Sequence, residues 1–267
     1  MIANVWEASG LLKGNDLSPQ AVREAARLLI EARDSGILLD RLPEESRPRN
    51  AAEAYAIQME TVARLRARVT GWKVALSKEY DLLMAALIEP RTFEDGATIP
   101  SARMSIVGVE VEIAFRFDKA LPPREAPYET AEVAQAVTAF SAIEILDTRF
   151  RDYHATSVID RAADFMSNSA FVMGAARPDW KDFDLARADV RLEIDGIETV
   201  RVTGGHASGD PLIPAIALAN HLRKTAGVPL GHVMTTGSYT GLQFIKKDSL
   251  VKATFIGFGE VGCRLAS

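Results

Sequence analysis

The chain is poor in the groups that most often announce a function. Its only cysteine is Cys263, so no disulfide can form within it, and a reducing cytoplasm is the expected setting. Cys263, among apolar neighbours near the end, reads as a core thiol. No apolar run approaches the roughly 20 residues of a membrane span. The opening MIANVWEASG lacks a basic segment followed by an apolar one, so no secretory signal is expected. Positive charge is in deficit: 31 Lys and Arg stand against 36 Asp and Glu, a formal charge of −5. That argues against nucleic acid or an anionic membrane as partner, since both reward clustered cations. No G-x-S-x-G is present, so serine-hydrolase chemistry has no support. The four histidines, His154, His206, His221 and His232, lack metal-ligand spacing to one another. All four read as structural or surface residues, with His221 suited to a last helical turn, where the dipole favours a cation.

What remains is 267 residues of ordinary globular composition, 48% hydrophobic and 25% charged. That suits one large domain, or a main domain with a smaller partner. Residues 1–68 are expected to form a helical N-terminal region. LSPQAVREAARLLIEARDSG has Ser18 as N-cap, Pro19 at the first position and Gly36 past the end. RNAAEAYAIQMETVARLRAR has Asn50 as cap and Glu53 three residues on. Residues 69–267 read as a β-rich domain. VTGWKVALS, IVGVEVEIAFRF and SAIEILDTRF are strands, and SNSAFVMG is a short strand ending at Gly174. ADVRLEIDGIETVRVTG is a hairpin turning at Asp195-Gly196. TAEVAQAVTAF is a helix with Thr130 as cap, and GDPLIPAIALANHLRKTAG a helix capped by Asp210. DSLVKATFIGFGEVGCRL closes with two strands. There is no regular βα alternation and no glycine-rich nucleotide fingerprint. An α+β class with mixed strands is expected, not a doubly wound α/β fold.

IVGVEVEIAFRF carries the chemistry. Glu110 and Glu112 lie two apart, hence on one face of a strand, where they repel each other. Glu144 in SAIEILD is also flanked by apolar residues. Buried carboxylates need positive charge. Lys73, Arg116 and Arg149 could supply it, or a hard divalent cation could, because the set has no His or Cys. The plainer alternative is the solvent face of an amphipathic sheet. Lys73 in GWKVALS is either a snorkelling surface residue or a cation facing the acids. The loop TTGSYTG, residues 235–241, offers hydroxyls and backbone N–H groups that suit a carboxylate, or forms a plain turn.

In order, GWKVALS, GVEVEIAF, SAIEILDTRFRDY, NSAFVMG, GDPLIPAIALANHL and GHVMTTGSYTGLQFIKKDSLVKATFIGFGEVGCRL resemble the 2-keto-4-pentenoate hydratase / 4-oxalocrotonate decarboxylase family of the fumarylacetoacetate hydrolase superfamily. The resemblance runs from about residue 70 to the end, and its strength lies in the order and spacing of the segments. It implies a mixed β-roll or sandwich with a small helical N-terminal part. It implies Mg²⁺ or Mn²⁺ held by Glu110, Glu112 and Glu144, with Lys73 and Glu89 catalytic. Leu76, Thr236, Gly237 and Ser238 would bind substrate. The implied activity is hydration of 2-hydroxy-2,4-dienoic acids from aromatic meta-cleavage to 4-hydroxy-2-oxo acids. Decarboxylation of a 4-oxalocrotonate-type 2-oxo acid ranks second, C–C hydrolysis of acylpyruvates third. A non-catalytic partner subunit is a reading of another class. Homo-oligomers, and association with a homologous decarboxylase or hydratase, are also implied. The sequence departs from the family's DDM-like segment: AALIEPRTFEDGATIP has Glu89 near that place, followed by Pro90 and Arg91. Ala75 stands where glycine is usual.

Overall fold

A computed structural model describes residues 12–267. The opening MIANVWEASG, read above as lacking a secretory signal, lies outside the described residues. Two helices come first. Helix α1, Pro19–Ser35, starts at Ser18, whose side chain accepts from Ala21 N, and ends at Gly36 in the left-handed region (φ 73°). Helix α2, Ala51–Leu65, is capped by Asn50. Small residues let them pack closely: Ala25 and Ala26 of α1 and Ala54 and Ala56 of α2 share one buried cluster, which Ile57 of α2 also fills. Leu83, Phe150 and Ile159 join that cluster, so the helices rest on later elements instead of standing apart.

The rest is built on two sheets. The larger holds β1 (Val69–Ala75), β2 (Leu83–Ile88), β3 (Thr92–Glu94), β5 (Gly108–Phe117), β6 (Val137–Leu146), β7 (Asn168–Arg177) and β10 (Val233–Ser238), in the order β2-β1-β10-β5-β6-β7-β3. Strand β11, Gln243–Phe244, pairs with β5 off that path. The smaller holds β4 (Ala97–Pro100), β8 (Asp189–Ile194), β9 (Ile197–Thr203), β12 (Leu250–Phe255) and β13 (Gly259–Ala266), in the order β4-β13-β12-β8-β9. Parallel β1–β10 and antiparallel β10–β5 pairs make the large sheet mixed, as expected for this class. Cys263 is buried in the core. The β8–β9 hairpin turns at Asp195 and Gly196 with φ of 54° and 79°, the positive-φ pair of a tight hairpin. Among the described residues, no helix is long and apolar enough to cross a membrane.

Two elements differ from the sequence reading. The helix begun in TAEVAQAVTAF stops early. Helix α3 spans only Thr130–Ala136, capped by Glu129 in a capping box with Glu132, and Val137 opens β6. Ladder pairing along β5 offers Val137–Phe140 more burial than another helical turn would. Strand β7 does not end at Gly174 but runs through it to Arg177. A Cβ there would lie 2.6 Å from Ser141 Oγ and 2.9 Å from the Glu260 carbonyl oxygen. This glycine permits the close approach of the two sheets and is not a terminator. Helix α5, Leu212–Leu222, begins after Pro211, and Asp210 still accepts from Leu212 N.

Candidate metal centre

Strands β5 and β6 place Glu110 directly opposite Glu144, and Glu112 opposite Ala142. With period two, all three carboxylates share one face of the sheet. One oxygen from each lies within 4.8 Å of the others. Glu112 and Glu144 are fully buried, which removes the solvent-face alternative.

Lys73 reaches the same face through β10. It pairs with Thr235, which pairs with Ala114, two residues on from Glu112. Its Nζ is 2.9 Å from Glu144 Oε2 and 3.4 Å from Glu110 Oε2. Lys73 is therefore the compensating cation. Arg116 instead binds Asp118, and Arg149 sits in a separate cluster. Burial alone would discharge the Lys73 ammonium, but the charges of Glu144, Glu110 and Glu112 outweigh it and raise its pKa. Burial pushes the Glu144 carboxyl up to about 8 against the pull of Lys73. Burial and the Glu110 charge push Glu112 up.

Each buried carboxylate is oriented by a donor. The β10–β5 register shifts between Thr235 and Ser238, so three steps on β10 face two on β5. That bulge turns two successive N–H groups, of Thr236 and Gly237, onto Glu112 Oε2, each at 2.9 Å. Gly237 has φ 116°, a conformation that side chains disfavour. Behind it His206 takes an N–H from Ser208 on Nδ1 and faces Thr236 Oγ1 with Nε2 at 3.3 Å. Burial lowers the His206 pKa, which keeps the ring neutral. Glu144 Oε1 accepts from Asn168 Nδ2 at 2.8 Å.

Asn168 follows an unusual turn. Phe165, Met166 and Ser167 have φ of 54°, 51° and 64°. For non-glycine residues the left-handed region costs about 1–2 kcal/mol each. A buried ionic cluster holds the turn. Arg149 grips Asp164 through Nε at 2.6 Å and Nη2 at 2.5 Å, and Arg33 reaches Asp164 at 3.3 Å. Asp147 Oδ1 accepts from Ser105 N, and Asp147 N donates to Ser167 O.

Glu112 Oε1 is buried without a hydrogen-bond partner. An orphaned carboxylate oxygen beside two further carboxylates fits a hard divalent cation: all donors are oxygen, and their charge exceeds that of Lys73. The cradle opens into a cavity of about 500 Å³.

Lys73, Glu110, Glu112, Gly237 and Ser238 line that cavity. Leu76 lies between the lining residues Ala75 and Ser77 but does not line it. Thr236 is turned away: its hydroxyl donates to Ile113 O at 2.7 Å, and its N–H serves Glu112. The N–H groups at Thr236 and Gly237 thus orient a protein carboxylate and are not free for a substrate. Glu89 is placed elsewhere. It follows the end of β2 near Val69, roughly 13 Å along β1 from Lys73, and its carboxylate is held by Arg68. The cavity carboxylate outside the triad is Glu79, in the loop after β1. Asn168, Glu79 and Arg161 escaped the sequence reading, and His206 was read only as a structural or surface residue; only Glu79, six residues beyond Lys73, carried a positional hint.

No protein-family model matches the chain. It is 28% identical over 261 residues to 2-keto-4-pentenoate hydratase of Paraburkholderia xenovorans, covering 92% of this chain and 95% of that one. Its fold is similar to 4-oxalocrotonate decarboxylase from Pseudomonas putida G7, solved with magnesium and adipate: TM-score 0.82, 21% identity, covering 94% of this chain and 99% of that one. It is also similar, at TM-score 0.57 and 10% identity, to fumarylacetoacetate hydrolase from Exiguobacterium antarcticum, covering 75% and 76% of the two chains. Full-length similarity and the shared fold agree with the ordered motifs: the chain is similar along its length to 2-keto-4-pentenoate hydratases and has the fold seen in 4-oxalocrotonate decarboxylase.

Proposed function

We propose that the chain is a divalent-metal-dependent hydro-lyase. It converts 2-hydroxy-2,4-dienoic acids, by way of their 2-oxo-enoic forms, into 4-hydroxy-2-oxo acids in the breakdown of cleaved aromatic rings. The observation that carries this reading is the carboxylate triad with its orphaned Glu112 oxygen at a cavity wall, in a chain that aligns along 92% of its length with a hydratase. Glu110, Glu112 and Glu144 would hold Mg²⁺ or Mn²⁺. When bound, the cation supplies a Lewis acid to a 2-oxo acid held through its carboxylate and 2-oxygen.

The chain's own groups do the rest. Thr236 N–H, Gly237 N–H and Asn168 fix the two buried carboxylates, so the cradle is preorganised. Glu144 and Glu110 favour the ammonium form of Lys73. It provides fixed positive charge where negative charge grows on the substrate's 2-oxygen. Ser238 offers a hydroxyl at the cavity wall. Proton delivery to the far carbon of the dienol, and proton removal from the added water, need a carboxyl group outside the triad. Glu79 fills that role.

The test is an NMR product assay with Mg²⁺ on 2-hydroxypenta-2,4-dienoate and, separately, on 4-oxalocrotonate. Hydration of the first to the 4-hydroxy-2-oxo acid is expected. Loss of carbon dioxide from the second without hydration of the first would make the chain a decarboxylase. No turnover of either would overturn the reading.

A further inference from the structure

The cavity wall also carries a cation, Arg161, that the chemistry above does not use. Helix α4, Val158–Ala163, buries Ile159, Ala162 and Ala163 in the cluster shared with α1 and α2. Its other face, Val158 and Arg161 at i and i+3, lines the cavity. Packing of the first face fixes the direction of the second.

Arg161 is half-buried and has no carboxylate partner among the described residues. Its guanidinium instead lies over the ring of Tyr153, whose centroid is 5.2 Å from the guanidinium carbon. Tyr153 also lines the cavity and is braced edge-on by His154 and Phe244 at 5.4 and 6.0 Å. The arrangement leaves the planar fork of the guanidinium to a ligand while the ring holds its plane. Lys73, by contrast, is committed to Glu110 and Glu144. The same cavity has apolar lining from Val74, Leu83, Leu146 and Met166. Glu79 shares the cavity but makes no ion pair with Arg161.

Resting on the hydro-lyase reading, we propose that Arg161 forms a subsite for a second carboxylate at the far end of the substrate. The chain then prefers 2-oxo-enoic diacids over monoacids of equal length. The cradle takes the 2-oxo-carboxylate end, the apolar walls take the carbon chain, and Arg161 takes the distal carboxylate through paired N–H donors.

Calorimetric binding of 2-oxoadipate and 2-oxohexanoate, at saturating Mg²⁺, tests this without turnover, because the two differ only in the distal group. The wild-type protein should bind the diacid roughly ten- to a hundredfold more tightly. Arg161→Leu should bring the ratio towards one, and Arg161→Lys should keep part of it. Melting curves verify that the variants are folded. Equal binding of the two acids by the wild-type protein overturns the subsite. So does a ratio that survives Arg161→Leu but falls in Lys78→Met, which would move it to the other unpaired cation of the wall. Binding of neither acid would count against the hydro-lyase reading itself, and the subsite would fall with it.

Discussion

At the residue scale, the site is a charge imbalance. Three carboxylates face one lysine, and two of the three are fully buried. The raised pKa of Glu144, about 8, and of Glu112 mean that the fold tolerates their neutral forms better than the unfolded chain does. For such groups the stabilising contribution is complete below the unfolded value, 4.5. It is lost as pH rises through the folded value. The metal-free protein should therefore lose melting temperature between pH 4.5 and about 8. Saturating Mg²⁺ should flatten that decline, because the cation takes over the compensation. A metal-free melting temperature that holds or rises across this range would refute the imbalance. Lys73 is the other half of the argument. Lys73→Met should cut turnover by about 10²-fold, the order lost when one oriented charge donor is removed. Calorimetry should find cation affinity undiminished, since a repelling neighbour has gone. Full turnover in Lys73→Met would deny the residue its role.

At the scale of elements, two local distortions aim the cradle. The β10 bulge converges two N–H groups on Glu112. The left-handed turn at residues 165–167 delivers Asn168 to Glu144. Both are tertiary devices, and this explains what the sequence could reveal. The strand carrying Glu110 and Glu112 was legible because alternation is local. The Asp195-Gly196 hairpin and the caps Ser18 and Asn50 were legible for the same reason. The left-handed turn was not, because Phe165, Met166 and Ser167 do not favour positive φ, and the Arg149 and Arg33 side chains that pair with Asp164 beside it come from other parts of the chain. Nor was the strand through Gly174, whose reason is a contact with β13 in the other sheet. Breaking a buried ion pair by removing one partner costs about 3–5 kcal/mol. Arg149→Met should lose stability of that order in urea denaturation. A loss below about 1 kcal/mol would show that the cluster does not hold the turn.

At the scale of the molecule, the large sheet is a platform. Its central strands carry the triad and Lys73, α4 lines the same cavity, and α1 and α2 pack against α4. The family resemblance read from ordered motifs matched this architecture. Glu89 shows the limit of that reading. Nearness in sequence put it in the site, but strand pairing carried it to the far end of β1 and β2, against Arg68. Placement depended on a register that spacing alone could not give. Everything proposed for this molecule passes through one event, the capture of a divalent cation by Glu110, Glu112 and Glu144. Calorimetric titration of Mn²⁺ into the wild-type chain and into Glu112→Gln tests it most directly. One site per chain is expected in the wild type, and no measurable binding in the folded variant. Equal affinity in the two would contradict it.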